Sequence, residues 1–185
     1  MRPALWTTLA ILLLHGACTM NTQGMTPREE AGGKVRVRLL GPDGKLTEPQ
    51  PSDRVVKTDA EWRAQLTAEQ FRITRQAGTE RAFCGTLLAN KAGGYYLCVC
   101  CGLPLFESGV KFESGTGWPS FFEPAAPENV VTRTDTSFGM VRKEILCARC
   151  GAHLGHLFDD GPAPAGLRYC MNSASLTFEP KSEKP

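Results

Sequence analysis

The sequence has almost no net charge: 21 lysines and arginines stand against 19 aspartates and glutamates in 185 residues, a formal charge of +2. Proteins that bind nucleic acid through its phosphates usually carry a clear basic excess. The balance therefore excludes nucleic acid as the expected partner. Histidine is also scarce, with three in the chain, so proton transfer near neutral pH depends on very few side chains.

The sequence also lacks a long apolar run at its N-terminus. The run at residues 4–14 is shorter than the roughly 20 residues that a transmembrane helix needs. One charge before it and two small residues after it indicate a signal peptide over residues 1–17. Cys18 then resembles the lipidated cysteine of a bacterial lipobox, although His15 replaces the usual aliphatic residue. We expect an exported lipoprotein on the periplasmic side of a membrane, anchored through acyl chains on Cys18, with plain secretion as the alternative.

Residues 18–57 are predicted to form a tether and an N-terminal extension. The tether is polar and contains glycine. Residues 35–39 alternate between apolar side chains and arginine, which predicts a short strand. The two prolines at residues 49–51 predict a break in the chain before the domain.

The main domain is predicted to span residues 58–180. Two sequences that begin at Thr58 and Thr67 have the form of a capping box, and they predict two short helices before Gly78. Between residues 95 and 178, short apolar segments alternate with Gly, Pro and Asn, which favours antiparallel strands. The predicted fold class is therefore mainly β.

Four of the eight cysteines form two C-x-x-C-G units, Cys98 with Cys101 and Cys147 with Cys150. A two-residue gap lets both thiolates of a pair turn toward one ion, and glycine eases the tight turn. Two such pairs make a tetrahedral site of four thiolates, the usual arrangement of structural Zn²⁺. Disulfides are the main alternative, because export favours them, and a thioredoxin-like redox pair is a second one.

Cys170 lies in a segment, residues 167–175, with the composition of a strand. Because side chains alternate along a strand, Arg168, Cys170 and Asn172 are expected to share a face. A guanidinium group beside a thiol favours the thiolate, which is the nucleophilic form. A small buried apolar residue is the alternative interpretation of Cys170.

His153 and His156 directly follow the second cysteine pair, and they are the only histidines after residue 18. Four thiols already complete a metal site, so these histidines are better suited to acid–base chemistry. A core or surface role for one of them is the alternative. Trp118 lies in a glycine-rich loop, residues 115–122, that can carry aromatic rings to the mouth of a pocket.

Together these motifs resemble the signatures of a known enzyme family, the type B peptide-methionine (R)-S-oxide reductases. Three segments carry the resemblance: Gly-Thr-Gly-Trp-Pro-Ser-Phe at 115–121, Cys-Gly-Ala-His-Leu-Gly-His at 150–156 and Arg-Tyr-Cys-Met-Asn-Ser-Ala-Ser at 168–175. The resemblance extends over about residues 58–178. It implies two antiparallel sheets with short N-terminal helices and a structural zinc site made of four cysteines.

The resemblance also implies how the chemistry proceeds. Cys170 would attack the sulfoxide sulfur of an oxidised methionine, while His153 and His156 arrange the transfer of a proton to the oxygen. Methionine then leaves, and Cys170 remains as a sulfenic acid. A second thiol condenses with it to form a disulfide, which an external dithiol reduces.

Five other residues have implied roles around the substrate. Trp118 would pack against the methyl group of the sulfoxide, Phe158 would lie nearby in the pocket, and Asp160 would shape the pocket. Arg168 and Asn172 would orient the cysteine and the species bound to it.

The chain departs from the family pattern at the second, resolving cysteine. Many members carry it where this chain has Thr116, and others carry it after an upstream Gly-Thr-Glu segment. Here that segment precedes Cys84, so the resemblance implies that Cys84 forms the disulfide with Cys170. Cys100 is the alternative, although its place inside the first cysteine pair fits a bystander or a substitute metal ligand better.

The expected partners are oxidised proteins or peptides and a thioredoxin-like reductant relayed through the membrane, and the expected state is a monomer. Two other classes of protein are alternatives. A binding module could use the same zinc scaffold, because a fold alone does not fix function. A thiol peroxidase would also form a sulfenic acid but would not need the pocket around Trp118.

Overall fold

The computed structural model describes residues 33–181. The predicted signal peptide, Cys18 and most of the predicted tether lie outside the described residues. Over residues 33–181, neither α-helix is long and apolar enough to cross a membrane.

Two short helices lead into a set of antiparallel strands. The helices are α1 Asp59–Gln65 and α2 Ala68–Arg75. In chain order the strands are β1 Lys34–Val37, β2 Gln50–Asp53, β3 Gly94–Cys98, β4 Pro104–Glu107, β5 Lys111–Phe112, β6 Ser120–Phe121, β7 Val130–Asp135, β8 Arg142–Cys147, β9 His153–Phe158, β10 Arg168–Met171 and β11 Leu176–Pro180.

The strands of the described region form three antiparallel sheets. A six-stranded sheet has the order β5-β6-β10-β9-β8-β7, and a three-stranded sheet has the order β11-β3-β4. The N-terminal extension adds a separate two-stranded sheet, β1-β2. The predicted mainly β fold of two antiparallel sheets with short N-terminal helices is confirmed for the domain.

The helices start where the capping sequences predict. The side chain of Thr58 accepts a hydrogen bond from the backbone of Glu61, and the Glu61 carboxylate accepts one from the backbone of Thr58. Thr67 and Gln70 repeat this arrangement at α2. Reciprocal capping of this kind satisfies backbone donors that the helix itself leaves unpaired.

Aromatic side chains join the two main sheets. The Phe121 ring, on β6, lies 5.0 Å from that of Tyr96 on β3 and 4.4 Å from that of Phe106 on β4, measured between ring centroids. All three side chains are fully buried. Aromatic pairs at these distances stabilise a core beyond the area they bury, so they hold the six-stranded sheet in place on the three-stranded one.

The N-terminal extension differs from its prediction in two ways. The strand β1 ends at Val37 rather than continuing to residue 39, and residues 50–53 form the strand β2 where a break was predicted. Pro51 pairs with Arg36 in this ladder. Proline is tolerated there because both strands of a two-stranded sheet are edge strands. The outer side of an edge strand makes no ladder hydrogen bonds, so the missing N–H of proline costs nothing there.

The segment that carries Cys170 also differs from its prediction. The strand β10 ends at Met171, and residues Ser173–Ser175 form a 3-10 turn. The Glu80 side chain accepts the backbone N–H groups of Ser173 and Ala174. These donors are therefore unavailable to a strand ladder, and the strand stops before Asn172.

Candidate active site and metal centre

Cys170 lies on β10 in the six-stranded sheet, and it pairs with Ser120 of β6 on one side and with His156 of β9 on the other. Its side chain is half-buried at a cavity of about 120 Å³. The residues that line this cavity are Thr79, Trp118, Arg142, Gly155, His156, Phe158, Cys170, Met171 and Asn172. The structure therefore brings the predicted nucleophile, one of the predicted histidines and both predicted aromatic residues to one cavity.

Cross-strand pairing aligns a row of functional groups on one face of the sheet. Cys170 is opposite His156, and His156 is opposite Glu144 of β8, which is opposite Arg133 of β7. Directly opposed residues point to the same face. The thiol, an imidazole, a carboxylate and a guanidinium thus follow one another across four strands.

A β-bulge explains how the side chains of both histidines can lie on this face of the sheet. Residues three apart in a regular strand point to opposite faces, but β9 shifts register where Leu146 pairs with His153. The bulge turns His153 toward the side of His156, so that the ring centroids are 5.3 Å apart. His156 lines the cavity, whereas His153 is buried behind it.

Each histidine is paired with a carboxylate. The Nε2 of His156 lies 2.9 Å from Oδ2 of Asp135, and the Nδ1 of His153 lies 2.7 Å from Oε1 of Glu144. Hydrogen bonds from Ser137 and then His156 hold the pKa of Asp135 well below its usual value, so Asp135 is an acceptor. The Nε2 of His156 must then carry the proton, which leaves Nδ1 free to accept one.

Burial lowers the pKa of His156, although its bond to Asp135 acts in the opposite direction. The imidazole is therefore held mainly in its neutral form near neutral pH. A neutral imidazole with one free lone pair can accept a proton from a nearby thiol and pass it on.

Arg168 is held beside Cys170 by two contacts. Its guanidinium group donates two hydrogen bonds of 2.8 Å to the Asp160 carboxylate, and it lies 4.4 Å from the centre of the Phe158 ring. The bond from Arg168 lowers the pKa of Asp160. A bidentate pair stacked on a ring fixes the guanidinium group more firmly than either contact alone.

The pKa of Cys170 is above that of an ordinary thiol. Burial is the largest cause, and the positive charge of Arg168 and a hydrogen bond from Thr116 only partly offset it. The guanidinium group therefore has the effect that the sequence predicts, but the loss of solvent outweighs it.

The backbone of Glu80 holds two predicted site residues, Trp118 and Asn172. The indole Nε1 of Trp118 donates to the backbone oxygen of Glu80 at 3.2 Å, and the Oδ1 of Asn172 accepts from the backbone nitrogen of Glu80 at 2.9 Å. Sequence reasoning assigned no role to Glu80. Its sequence signal is its place at the end of the Gly-Thr-Glu segment that precedes Cys84.

Cys84 is exposed and lies next to the loop that carries Thr116. The backbone nitrogen of Phe83 donates to the backbone oxygen of Gly117 at 2.8 Å. Thr116 itself forms a hydrogen bond with the Cys170 thiol. The segment that carries Cys84 thus runs beside the loop that contacts Cys170.

The two C-x-x-C-G units meet at a single site. The sulfur atoms of Cys98, Cys101, Cys147 and Cys150 all lie within 4.8 Å of one another. The closest pairs are Cys98 with Cys150 at 3.7 Å and Cys101 with Cys147 at 3.5 Å. Such a cluster can hold a metal ion, because four thiolates at this spacing repel each other unless a cation lies between them.

The glycine after each cysteine pair adopts the conformation that the sequence predicts. Gly102 has φ +72° and Gly151 has φ +66°, a region that residues with a Cβ rarely adopt. Cys100 lies outside the group of four, although hydrogen bonds with the thiols of Cys150 and Cys98 lower its pKa.

Comparison with known proteins identifies relatives over most of the predicted domain. The SelR domain family matches residues 66–180. A protein called Peptide methionine sulfoxide reductase MsrB from Thiobacillus denitrificans is 62% identical over 125 residues, 68% of this chain and 95% of the relative. Proteins with the same name from Synechococcus (58% over 130 residues, 70% and 96%) and Methanosarcina barkeri (54% over 129 residues, 70% and 91%) are also similar.

The raised pKa of Cys170 predicts how its alkylation depends on pH. In a Cys84→Ser chain, the rate at which iodoacetamide modifies Cys170 should rise with pH and reach half its limit above the ordinary thiol pKa, because only the thiolate reacts. Arg168→Met should move this midpoint higher, since it removes a charge that lowers the pKa. Mass spectrometry of the Cys170 peptide measures the rate.

Arg81→Met is the control for this experiment, because Arg81 is an exposed arginine that does not line the cavity. It should leave the midpoint unchanged. A midpoint below the ordinary thiol value, or a downward shift in Arg168→Met, would contradict this account of the electrostatics.

Proposed function

The chain belongs to the SelR-domain family of peptide-methionine (R)-S-oxide reductases, and from this we propose that it works through two cysteines, Cys170 and Cys84. The enzyme is an oxidoreductase that reduces methionine sulfoxide. The observation that carries the proposed mechanism is the position of Cys170, directly opposite His156 at a cavity that Trp118 and Phe158 also line.

The first step transfers oxygen from the substrate to the enzyme. The Cys170 sulfur attacks the sulfoxide sulfur while the free Nδ1 of His156 takes the thiol proton and passes it to the sulfoxide oxygen. The hydroxyl group then moves to the Cys170 sulfur as the substrate S–O bond and the new S–S bond break, so methionine leaves and Cys170 becomes a sulfenic acid. Cys170 is oxidised by two electrons and the substrate is reduced by two.

Proton transfer explains why a thiol with a raised pKa can still act as the nucleophile. Because burial keeps Cys170 protonated in the free enzyme, the thiol brings its own proton to the reaction. His153 lies behind His156 and is held by its hydrogen bond to Glu144. Its ring packs against the His156 ring and keeps that imidazole in place.

The other predicted site residues would bind and orient the substrate. Trp118 and Phe158 supply apolar ring surface for the methyl group, which favours a thioether over a charged side chain. Arg168, fixed by Asp160, offers a positive charge to the polarised oxygen, and Asn172 anchors the end of the strand that carries Cys170.

The second step restores the enzyme. The Cys84 thiol attacks the Cys170 sulfenic acid, a disulfide forms and the oxygen leaves as water. The exposure of Cys84 supports this role, because a protein reductant must reach one sulfur of the disulfide. A thioredoxin-like dithiol then reduces the disulfide, and the enzyme acts as a monomer on oxidised proteins or peptides.

Cys170→Ser tests the catalytic assignment. A serine hydroxyl cannot form the sulfenic acid, so activity on a peptide with methionine-R-sulfoxide should fall by at least about 10³-fold. The content of bound metal should stay unchanged, since Cys170 is not one of the four clustered cysteines. Retained activity, or loss of metal along with activity, would contradict the assignment.

We also propose that the four clustered cysteines bind Zn²⁺ as a structural ion. Four thiolate ligands leave no open position for substrate, and none of these cysteines lines the Cys170 cavity. The ion would join β3, which ends at Cys98, to the turn between β8 and β9. Because His153 and His156 directly follow this turn, the metal would steady the strand that presents them.

Elemental analysis of the purified enzyme tests the metal site. We expect about one zinc per chain, since a site of four thiolates holds a single ion. Cys101→Ser should lose the metal and unfold at a lower temperature, whereas the control Cys100→Ser should keep it. A disulfide between the two pairs in the active enzyme, or loss of zinc in Cys100→Ser alone, would contradict the proposed ligand set.

We propose that the enzyme repairs exported proteins and is tethered to the periplasmic side of a membrane. The support is the sequence of residues 1–18, in which a short apolar run leads to Cys18. Mass spectrometry of the mature protein from its bacterial host should find an N-terminal Cys18 with acyl chains, and Cys18→Ser should move the protein from the membrane fraction to the soluble fraction. An unmodified Cys18 would contradict the anchor.

A further inference from the structure

Glu80 is a buried acidic residue, 5% exposed, that the mechanism above does not use. Its two carboxylate oxygens accept the backbone N–H groups of Ser173, at 2.6 Å, and Ala174, at 2.9 Å. These donors open the turn that follows β10 and would otherwise be buried without partners. The side chain of Glu80 therefore joins its own segment to the end of the strand that carries Cys170.

The backbone of Glu80 contacts two other residues of the site. Its nitrogen donates to Asn172 and its oxygen accepts from the Trp118 indole. The backbone of Glu80 thus contacts two residues that line the Cys170 cavity. These contacts fix the start of the segment 80–85 relative to Cys170.

The same segment is fixed again on each side of Cys84. The backbone nitrogen of Phe83 bonds to Gly117 at 2.8 Å, and Phe83 adopts φ +64°, which residues other than glycine rarely do. A Cβ on Gly85 would lie 2.1 Å from the Ser173 hydroxyl and 2.7 Å from the Glu80 carboxylate. The backbone around Cys84 is thus tightly held, and an unusual conformation persists only when its surroundings hold it.

We propose that Glu80 is a positioning residue for Cys84, and that it sets the rate at which the disulfide forms. This inference rests on the proposed two-cysteine mechanism. In the second step the Cys84 sulfur bonds to the Cys170 sulfur, the S–O bond of the sulfenic acid breaks, and the oxygen leaves as water with the Cys84 proton. An intramolecular step of this kind depends steeply on the placement of the reacting atoms.

The first step, in which methionine is released, does not depend on the side chain of Glu80. The Glu80 side chain does not line the Cys170 cavity, whereas His156, Arg142 and Phe158 do. Its bonds to Asn172 and Trp118 come from its backbone, so a change of side chain leaves those donors and acceptors in place. Loss of the carboxylate should therefore slow the disulfide and spare the release of methionine.

Glu80→Gln is the variant that separates the two steps. Glutamine has nearly the same shape, but its amide presents one oxygen and one NH2 group, and the NH2 group must face a backbone donor. In a single turnover without reductant, methionine release should match the wild type. Disulfide formation should slow by at least about tenfold, because small misplacements cost intramolecular reactions heavily. Glu179→Gln, the same change at an exposed position of β11, is the matched control.

A small monothiol provides the readout that a purely structural role would not change. Such a thiol can reduce the Cys170 sulfenic acid directly, without Cys84. Turnover of Glu80→Gln should therefore be slow with a thioredoxin and normal with 2-mercaptoethanol. Equal losses with both reductants, or an unchanged rate of disulfide formation, would overturn the role of Glu80.

The mechanism beneath this inference is tested by a separate variant. Cys84→Ser should release one methionine and then stall with a thioredoxin. If it turned over as fast as the wild type, the two-cysteine mechanism itself would fail, whatever the result for Glu80→Gln.

Discussion

The pairing of β10 with β9 is the constraint on which the site depends. It fixes Cys170 directly opposite His156, so the sulfur and the imidazole share one face of a sheet rather than meeting through flexible loops. A ladder of backbone hydrogen bonds holds this register, and a slip of one residue would turn both side chains to the other face. Both groups therefore lie on paired strands of the sheet, which suits a reaction that is sensitive to small errors of placement.

The groups around this pair offset the electrostatic cost of burying it. Burial raises the pKa of Cys170 and lowers that of His156, so both are held in their neutral forms. Asp135 orients His156, and Arg168 lowers the Cys170 pKa in part. A half-buried thiol that keeps its proton, beside an imidazole that can transfer it, suits a reaction whose leaving oxygen must be protonated.

Local signals were predicted well from the sequence. The two capping boxes depend on residues three apart, and the cysteine pairs depend on a two-residue gap, so both could be recognised in a single short segment. The motifs around Trp118, His156 and Cys170 identified the family, and the structure places all three residues at one cavity.

Contacts between distant segments could not be predicted in this way. The bulge that brings His153 to the side of His156 depends on the register of β8 against β9. Glu80 was missed because its carboxylate accepts hydrogen bonds from backbone N–H groups more than ninety residues away in the chain. The strand at Pro51 was missed because proline is excluded from the middle of a sheet but not from its edge, and the sequence does not reveal which strands are edges.

A single turnover with the two epimers of a sulfoxide peptide tests the central claim most directly. The purified, fully reduced enzyme should form about one methionine per chain from the R epimer without added reductant, and it should end with Cys84 joined to Cys170, because one thiol pair supplies two electrons. The S epimer should remain intact. If the R epimer also remained intact while Cys170 was reduced, the proposed chemistry of this site would be contradicted.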